Sequence, residues 1–248
     1  MAELTATQTV QAADRLVHDI GSVWMLHPDT RARGEGYGHA KPMAFYFTGR
    51  GGVLGDVDAD VIAAAMGWFH PGLVRLMWER GLTVADAREG ARRYAQACAD
   101  WADEHLGDHE NADRFSELAE KVVTSADESG LPLFAGWRAE QRADGGPARM
   151  LQLVHVMREW RGALHLVATT AAGLGPLQAI LTNEGEGQAR FFGWRDEYPD
   201  CTHLKPRHLQ AQETTDRLAA DVYERALTPA ERGEFVDLVN ALAGKVLT

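Results

Sequence analysis

Two scarcities in the sequence narrow the kind of protein that it encodes. The 248 residues include only two cysteines, Cys98 and Cys201, and no Cys-x-x-Cys motif, which excludes a disulfide framework. Basic residues are outnumbered, since 25 Lys and Arg stand against 36 Asp and Glu and give a formal net charge of −11. An acidic surface repels phosphate backbones, so DNA is not expected as a partner.

The sequence also lacks an apolar run of the length that crosses a bilayer. Residues 1–14 are polar and lack the basic start and apolar stretch of a signal peptide. We therefore expect no membrane association and a location in the reducing cytoplasm.

Strand patterns and familiar catalytic motifs are absent as well. No segment alternates apolar and polar residues with a period of two, whereas apolar residues recur at helical spacing from residue 5 onward. Neither a Gly-x-Ser-x-Gly elbow nor His-Glu-x-x-His nor a dinucleotide fingerprint occurs. The sequence predicts an all-α, multi-helix protein, with one region over residues 1–130 and a second over residues 131–248.

Capping residues and breakers divide this chain into helices. Thr83 is predicted to cap a long helix over residues 85–106, and Thr228 followed by Pro229 opens the last helix. The turn at residues 144–147 precedes a long apolar helix over residues 150–172. Residues 21–55, rich in Gly, His and aromatics, are predicted to be irregular but ordered.

The apolar helix carries an unusual group of polar residues between positions 155 and 165. His155 and Glu159 lie one turn apart on one face, Arg158 flanks them, and Gly162 leaves room for a neighbouring backbone or a ligand. Buried charges are costly unless they are paired. Two interpretations stay open: an ion-pair network that fixes how the helices dock, or a ligand-binding or catalytic site.

For a catalytic site, His165 or His155 is the candidate acid or base, and Glu159 would orient it. Arg158 or Arg161 would hold an anionic group of the ligand. The pair of His155 and Glu159 could give a metal only two ligands, so no metal site is predicted, and the residues identify no cofactor.

A second candidate group lies nearer the N-terminus, where aromatic side chains stand beside glycine-rich backbone. Such a composition suits either the wall of a pocket for a flat apolar molecule or an ordinary core. The candidate ligand-binding residues of this group are His39, Tyr46, Arg50, Trp68 and His70.

Four segments together resemble a known family. They are FYFTGRGGVLG (45–55), GWFHPGLV (67–74), MREWRGALHLVATTAAGLGPLQA (157–179) and AQETTDRLA (211–219). They resemble a large actinobacterial family of mostly uncharacterised helical proteins that are commonly labelled helix-turn-helix or MarR-like. The resemblance covers most of the chain from about residue 20, and its best motif is Arg-Glu-x-Arg-Gly-x-x-His, residues 158–165.

The resemblance implies an α-helical protein with a winged-helix-like C-terminal portion. Residues 185–210, where the DNA-reading elements would lie, are too few for a complete reader, so this portion is expected to be degenerate. The four basic residues of the segment are balanced by four acidic ones, whereas a recognition helix normally presents a basic face.

Three hypotheses for the function follow. The first is a small-molecule-binding protein, either a binder alone or an enzyme, whose pocket lies between the aromatic N-terminal segment and the 151–173 helix. The second is a MarR-like transcriptional regulator that has lost or reduced its DNA reader. The third is an interaction protein that forms a homodimer through its C-terminal helices.

Overall fold

The computed structural model describes residues 2–195 and 197–247, and the described residues are all-α. They form thirteen α-helices and contain no strand. The helices are α1 (Ala6–Val23), α2 (Pro28–Gly36), α3 (Pro42–Gly51), α4 (Ala59–Met66), α5 (Pro71–Leu82), α6 (Ala87–Leu106), α7 (Ala112–Ser125), α8 (Pro132–Ala139), α9 (Gly146–Ala171), α10 (Pro176–Asn183), α11 (Glu186–Phe191), α12 (Lys205–Ala226) and α13 (Pro229–Val246). Short 3₁₀ turns follow α3 at Gly52–Leu54 and precede α12 at Thr202–Leu204.

Helix α9 is the centre of the molecule. It packs against α1, α6, α7, α8 and α12, and nearly every side chain of its first half, from Met150 to Met157, is buried. A helix that is apolar on all sides must bury every side against neighbouring helices, which explains why α9 lies at the centre. One continuous core therefore includes side chains from both predicted regions, residues 1–130 and residues 131–248. The division of the chain at residue 130 stays a prediction.

The caps explain where several helices begin. Thr228 and Glu231 form the capping box that opens α13, which confirms the predicted start of that helix. The predicted cap of α6 is wrong by three residues. Asp86 accepts the backbone N–H of Glu89 at 2.8 Å, whereas the Thr83 hydroxyl donates to the carbonyl oxygen of Arg80 at 2.7 Å.

The prediction that residues 21–55 are irregular is wrong, whereas the prediction that they are ordered is confirmed, because this segment holds the end of α1 and helices α2 and α3. Several of its glycines serve close packing between helices, whereas Gly38 and Gly55 have positive φ in turns. A Cβ on Gly49 would lie 2.4 Å from Tyr94, and one on Gly52 would lie 2.0 Å from the carbonyl oxygen of Ala87. These two glycines let α3 and its 3₁₀ extension approach α6 more closely than any side chain allows.

The segment over residues 185–210 contains α11, a loop and the start of α12. Its described residues form no β-hairpin, so the winged-helix-like portion that the resemblance implies is not confirmed. Among the described residues, no single helix is long and apolar enough to span a membrane; α9 and α10 reach that composition only as a pair bent by 105°.

Candidate functional site

A cavity of about 470 Å³ lies beside the second half of α9. Its walls come from α1, α3, α9 and the α10–α12 region, with the loop after α4 closing one side. The apolar part of the lining includes Met25, Leu26, Met66, Phe69, Leu133, Leu166, Ile180, Phe191 and Phe192. Gly162 also lines the cavity, and a Cβ placed on it would meet no atom within 4 Å. The missing side chain thus leaves cavity space, and no neighbouring backbone fills it.

A buried ion pair joins α3 to α9 at one end of the cavity. The guanidinium of Arg50 donates from Nε to Oε1 of Glu159 at 2.8 Å and from Nη2 to Oε2 at 2.9 Å. The Arg50 side chain also donates from Nη1 to the Tyr46 hydroxyl at 2.9 Å. This forked geometry satisfies both carboxylate oxygens, which is the condition for keeping such charges in a core.

A second guanidinium shares the same carboxylate. Arg158 donates from Nη1 to Oε1 of Glu159 at 2.9 Å and from Nε to the Ser22 hydroxyl at 2.7 Å. Its stem crosses α1 at Gly21, where a Cβ would lie 2.9 Å from the Cβ of Arg158. We call Arg50, Arg158 and Glu159 the charged end of the cavity.

The charged end has a net charge of +1, because two guanidinium groups share one carboxylate. Burial opposes the ionisation of Glu159, but Arg50 and Arg158 outweigh it and lower the pKa of Glu159 to about 2. Burial likewise disfavours the charge on Arg50, but the attraction of Glu159 prevails and raises the pKa of Arg50. Two cations therefore face one anion, and Nη2 of Arg158 makes no hydrogen bond with the described residues.

The opposite end of the cavity is neutral: His165 and His208 line it, and the buried Thr215 contacts His165. Thr215 donates its hydroxyl proton to the carbonyl oxygen of Ala211 at 2.8 Å, so its oxygen can only accept from Nδ1 of His165, 3.0 Å away. This places the His165 proton on Nδ1 and leaves Nε2 with a lone pair. Burial and then Arg161 lower the pKa of His165 to about 4, which keeps the ring neutral at pH 7.

The other two α9 candidates make their main contacts with other residues, although Nδ1 of His155 lies 4.0 Å from Oε1 of Glu159. Arg161 lines the cavity, but it pairs with Asp14 at 3.1 Å and Asp216 at 3.5 Å, so its charge is already neutralised. His155 is fully buried outside the cavity lining, with its ring 5.3 Å from that of Trp24 and 4.5 Å from that of Trp137. Burial lowers the pKa of His155 to about 3.

The aromatic N-terminal group is divided by the fold. Tyr46, Arg50 and Trp68 line the cavity, and the Trp68 ring lies 5.8 Å from the ring of His165. His39 is buried away from the cavity against Phe45, and neither of its ring nitrogens has a hydrogen-bond partner among the described residues. His70 lies outside the cavity lining at the start of α5, where Nδ1 accepts the backbone N–H of Gly72. The catalytic and binding roles of all these residues stay predictions.

Several cavity residues were missed by sequence reasoning. They are Arg15, His18 and Ser22 from α1, Glu184 and Gln188 from the α10–α11 region, and His208 and Gln212 from α12. A signal existed in α1, because Arg15, His18 and Ser22 are polar and recur at spacings of three and four residues on one helical face. No comparable pattern marks the residues between 184 and 212.

The comparisons with known proteins identify a family. A family model described as "helix-turn-helix family" matches residues 10–248, and the chain belongs to this family. Searches of curated proteins and of solved structures give no match.

Proposed function

We propose that this protein binds a small, largely apolar molecule that carries one anionic group. The observation that carries the proposal is the charged end of the cavity, where two guanidinium groups share the single carboxylate of Glu159. A carboxylate or a similar group of a ligand would complete this charge balance by accepting from Nη2 of Arg158. Such a contact adds a charge-assisted hydrogen bond without breaking an existing one.

The rest of the cavity suits the remainder of such a ligand. A volume of about 470 Å³ lies within the range of roughly 300–1,000 Å³ that is usual for small-molecule sites. Met66, Phe69, Phe191 and Phe192 offer apolar surface to the ligand body. At the neutral end, Nε2 of His165 would accept a hydrogen bond from a hydroxyl or amine of the ligand.

Binding is better supported than catalysis. His165 is held by Thr215, not by a carboxylate that would stabilise its protonated form, and its pKa of about 4 makes it a weak base at neutral pH. A catalytic role for His165 would be revealed by turnover that the His165→Ala variant loses. The proposal for the cavity does not need such turnover.

The test uses occlusion of the cavity. Titration calorimetry would compare naphthoate, a flat apolar carboxylate, with the neutral naphthamide in the wild-type protein and in the Gly162→Phe variant. We expect the wild type to prefer the carboxylate and Gly162→Phe to lose binding, since the new ring occupies the space beside Gly162. Gly244→Phe is the matched control, because Gly244 is an exposed glycine of α13 with no atom within 4 Å of its Cβ position.

A screen of metabolite-sized carboxylates by thermal shift would extend the test beyond one probe. Stabilisation by apolar anions that Gly162→Phe abolishes and Gly244→Phe preserves supports the proposal. Equal responses of both variants, or no response of the wild type to any apolar anion, would contradict it.

Membership of a helix-turn-helix family favours a second candidate, a MarR-like regulator whose DNA binding the ligand controls. The family description weighs against our expectation that DNA is not a partner, whereas the net charge of −11 supports that expectation. The exposed basic residues at the start of α12, Lys205 and Arg207, are the candidates for phosphate contacts.

DNA binding can be tested by fluorescence anisotropy with a mixed-sequence duplex at low and at physiological salt. A regulator is expected to bind with an affinity that falls steeply with salt and that the double variant Lys205→Glu, Arg207→Glu weakens. Absence of binding at low salt would contradict this candidate. Homodimerisation, which regulators of this kind need to read paired half-sites, is checked by light scattering.

A further inference from the structure

Two histidines and one aspartate meet where the start of α2 lies against the end of α6. His27 precedes α2, Asp29 is in its first turn, and His105 is in the last turn of α6. Oδ2 of Asp29 lies 3.2 Å from Nδ1 of His27 and 2.8 Å from Nε2 of His105. None of the three residues lines the cavity, so this cluster is independent of the proposed ligand site.

The hydrogen bonds of the cluster leave two acceptor atoms facing each other. The backbone N–H of Asp29 donates to Nδ1 of His27 at 3.3 Å, so this nitrogen carries a lone pair and no proton. The carboxylate oxygen 3.2 Å away also only accepts. Two acceptors this close repel one another unless a cation lies between them, and that cation can be a proton on Nδ1 of His27 or a metal ion.

The spacing of the three atoms fits a metal ion. Bonds of about 2.0–2.2 Å from zinc to imidazole nitrogen and carboxylate oxygen place neighbouring ligand atoms about 3 Å apart. The two separations from Asp29 Oδ2 already have this size, and all three ligand atoms lie within 4.8 Å of one another. Nδ1 of His27 has a single lone pair, so a bound metal takes the place of the 3.3 Å hydrogen bond from the backbone N–H of Asp29 and of the proton between His105 and Asp29.

The surroundings hold the two imidazole rings in place. Trp101 stacks on His105, with centroids 4.4 Å apart and an angle of 18° between planes, and meets His27 edge-on at 5.6 Å. The neighbouring carboxylates of Asp100 and Glu104 are paired with Arg33. The ligand set is therefore limited to two imidazoles and one carboxylate, with the remaining positions open to water.

We propose that His27, Asp29 and His105 bind one divalent transition-metal ion, such as Zn²⁺, Ni²⁺, Co²⁺ or Cu²⁺. Imidazole nitrogens select these ions over Mg²⁺ and Ca²⁺, which prefer oxygen ligands. The bound ion links α2 to α6 and so fixes the segment that precedes α3.

The test is calorimetric titration of Zn²⁺ into full-length, tag-free protein that has been stripped of metal. We expect one ion per chain and an affinity that falls at least tenfold in His105→Gln, since even the loss of a group that only supports a ligand costs roughly 10–100-fold. His203→Gln is the matched control, because His203 is exposed and lies outside the cluster. Its affinity for Zn²⁺ is expected to equal that of the wild type.

A second variant and a spectroscopic readout separate loss of the site from loss of the fold. Asp29→Asn keeps the size of the side chain and removes the ligand charge, and circular dichroism verifies that each variant is folded. Cu²⁺ bound to the wild type should show hyperfine coupling to two imidazole nitrogens in its electron paramagnetic resonance spectrum. Failure of Zn²⁺ to bind, or equal binding by the wild type, His105→Gln and Asp29→Asn, would overturn the proposal.

Discussion

The two ends of the cavity show how one helix can hold polar groups in two different ways. At the charged end, Glu159 is almost fully buried and remains ionised because two guanidinium groups donate to it. At the neutral end, His165 is only partly buried and gives up its charge, with one hydrogen bond to Thr215. At the charged end, each charge can stay buried only because the others pair with it. The neutral end depends on a single hydrogen bond between neutral groups.

The largest expected difference between the two ends is in the free energy of unfolding. Glu159→Gln leaves Arg50 buried without its counter-charge and should lower the stability by about 3–5 kcal/mol. His165→Gln removes one neutral hydrogen bond and should cost only about 1 kcal/mol. Urea unfolding measures both values.

The exposed pair of Glu186 and Arg190 provides the control for this comparison. Glu186→Gln should change the stability by less than about 1 kcal/mol, as is usual for surface ion pairs. If Glu159→Gln costs no more than Glu186→Gln, the charged end is not the interdependent network described above.

A smaller effect concerns the pH dependence of the neutral end. The pKa of His165 is about 4 in the folded protein, whereas that of an unperturbed histidine is 6.5, so the unfolded chain binds the proton more tightly. The contribution of His165 to stability is complete above pH 6.5, is lost as the pH falls toward 4, and changes no further below that. Its size is on the order of 3 kcal/mol, because each unit of difference in pKa corresponds to about 1.4 kcal/mol.

Comparison of variants isolates this contribution from other groups. The pKa of Asp14 is raised to about 6, chiefly by burial, and its protonation favours the folded state over part of the same pH range. Because Asp14 is present in both proteins, its effect largely cancels in the difference between wild type and His165→Gln. Unfolding curves between pH 7 and pH 4 should show a shallower loss of stability in the variant. Parallel curves would show that His165 is not held neutral.

The smallest effect is expected between the two ends, at Gly162. Gly162→Ala should raise the stability by about 0.5–1 kcal/mol, because alanine restricts the unfolded chain and nothing obstructs its Cβ. Gly244→Ala in α13 should give a similar gain, since its Cβ position is equally open. A loss of stability in Gly162→Ala alone would show that the wall of the cavity closes against this glycine.

The sequence predicted the helical fold and the central helix well, because both depend on local signals. The apolar residues of α9 recur on every face, and the cap at Thr228 is a short-range motif. Residues 21–55 were misread because glycine has two uses, in turns and in close helix packing. Only the neighbours of Gly49 and Gly52, which lie far along the chain in α6, show which use applies.

The site could be predicted in part for the same reason. Charged residues in an apolar helix are visible in the sequence, so Arg158, Glu159 and His165 were named as candidates; all three line the cavity, and their roles stay predictions. The pairing of Glu159 with Arg50 joins residues 109 positions apart and depends on how α3 docks on α9. Helical spacing placed His155 on the face of Glu159, but it could not show that Trp24 and Trp137 enclose the histidine away from the cavity.

The most direct test of the central claim is the selectivity of the cavity for an anion. Calorimetry would give the ratio of the affinities for naphthoate and naphthamide in the wild type, Arg158→Gln and His165→Gln. We predict that Arg158→Gln reduces this ratio by roughly ten- to a hundredfold, as expected for a hydrogen bond to a charged group, and that His165→Gln leaves it unchanged. A ratio that Arg158→Gln does not alter would contradict the account.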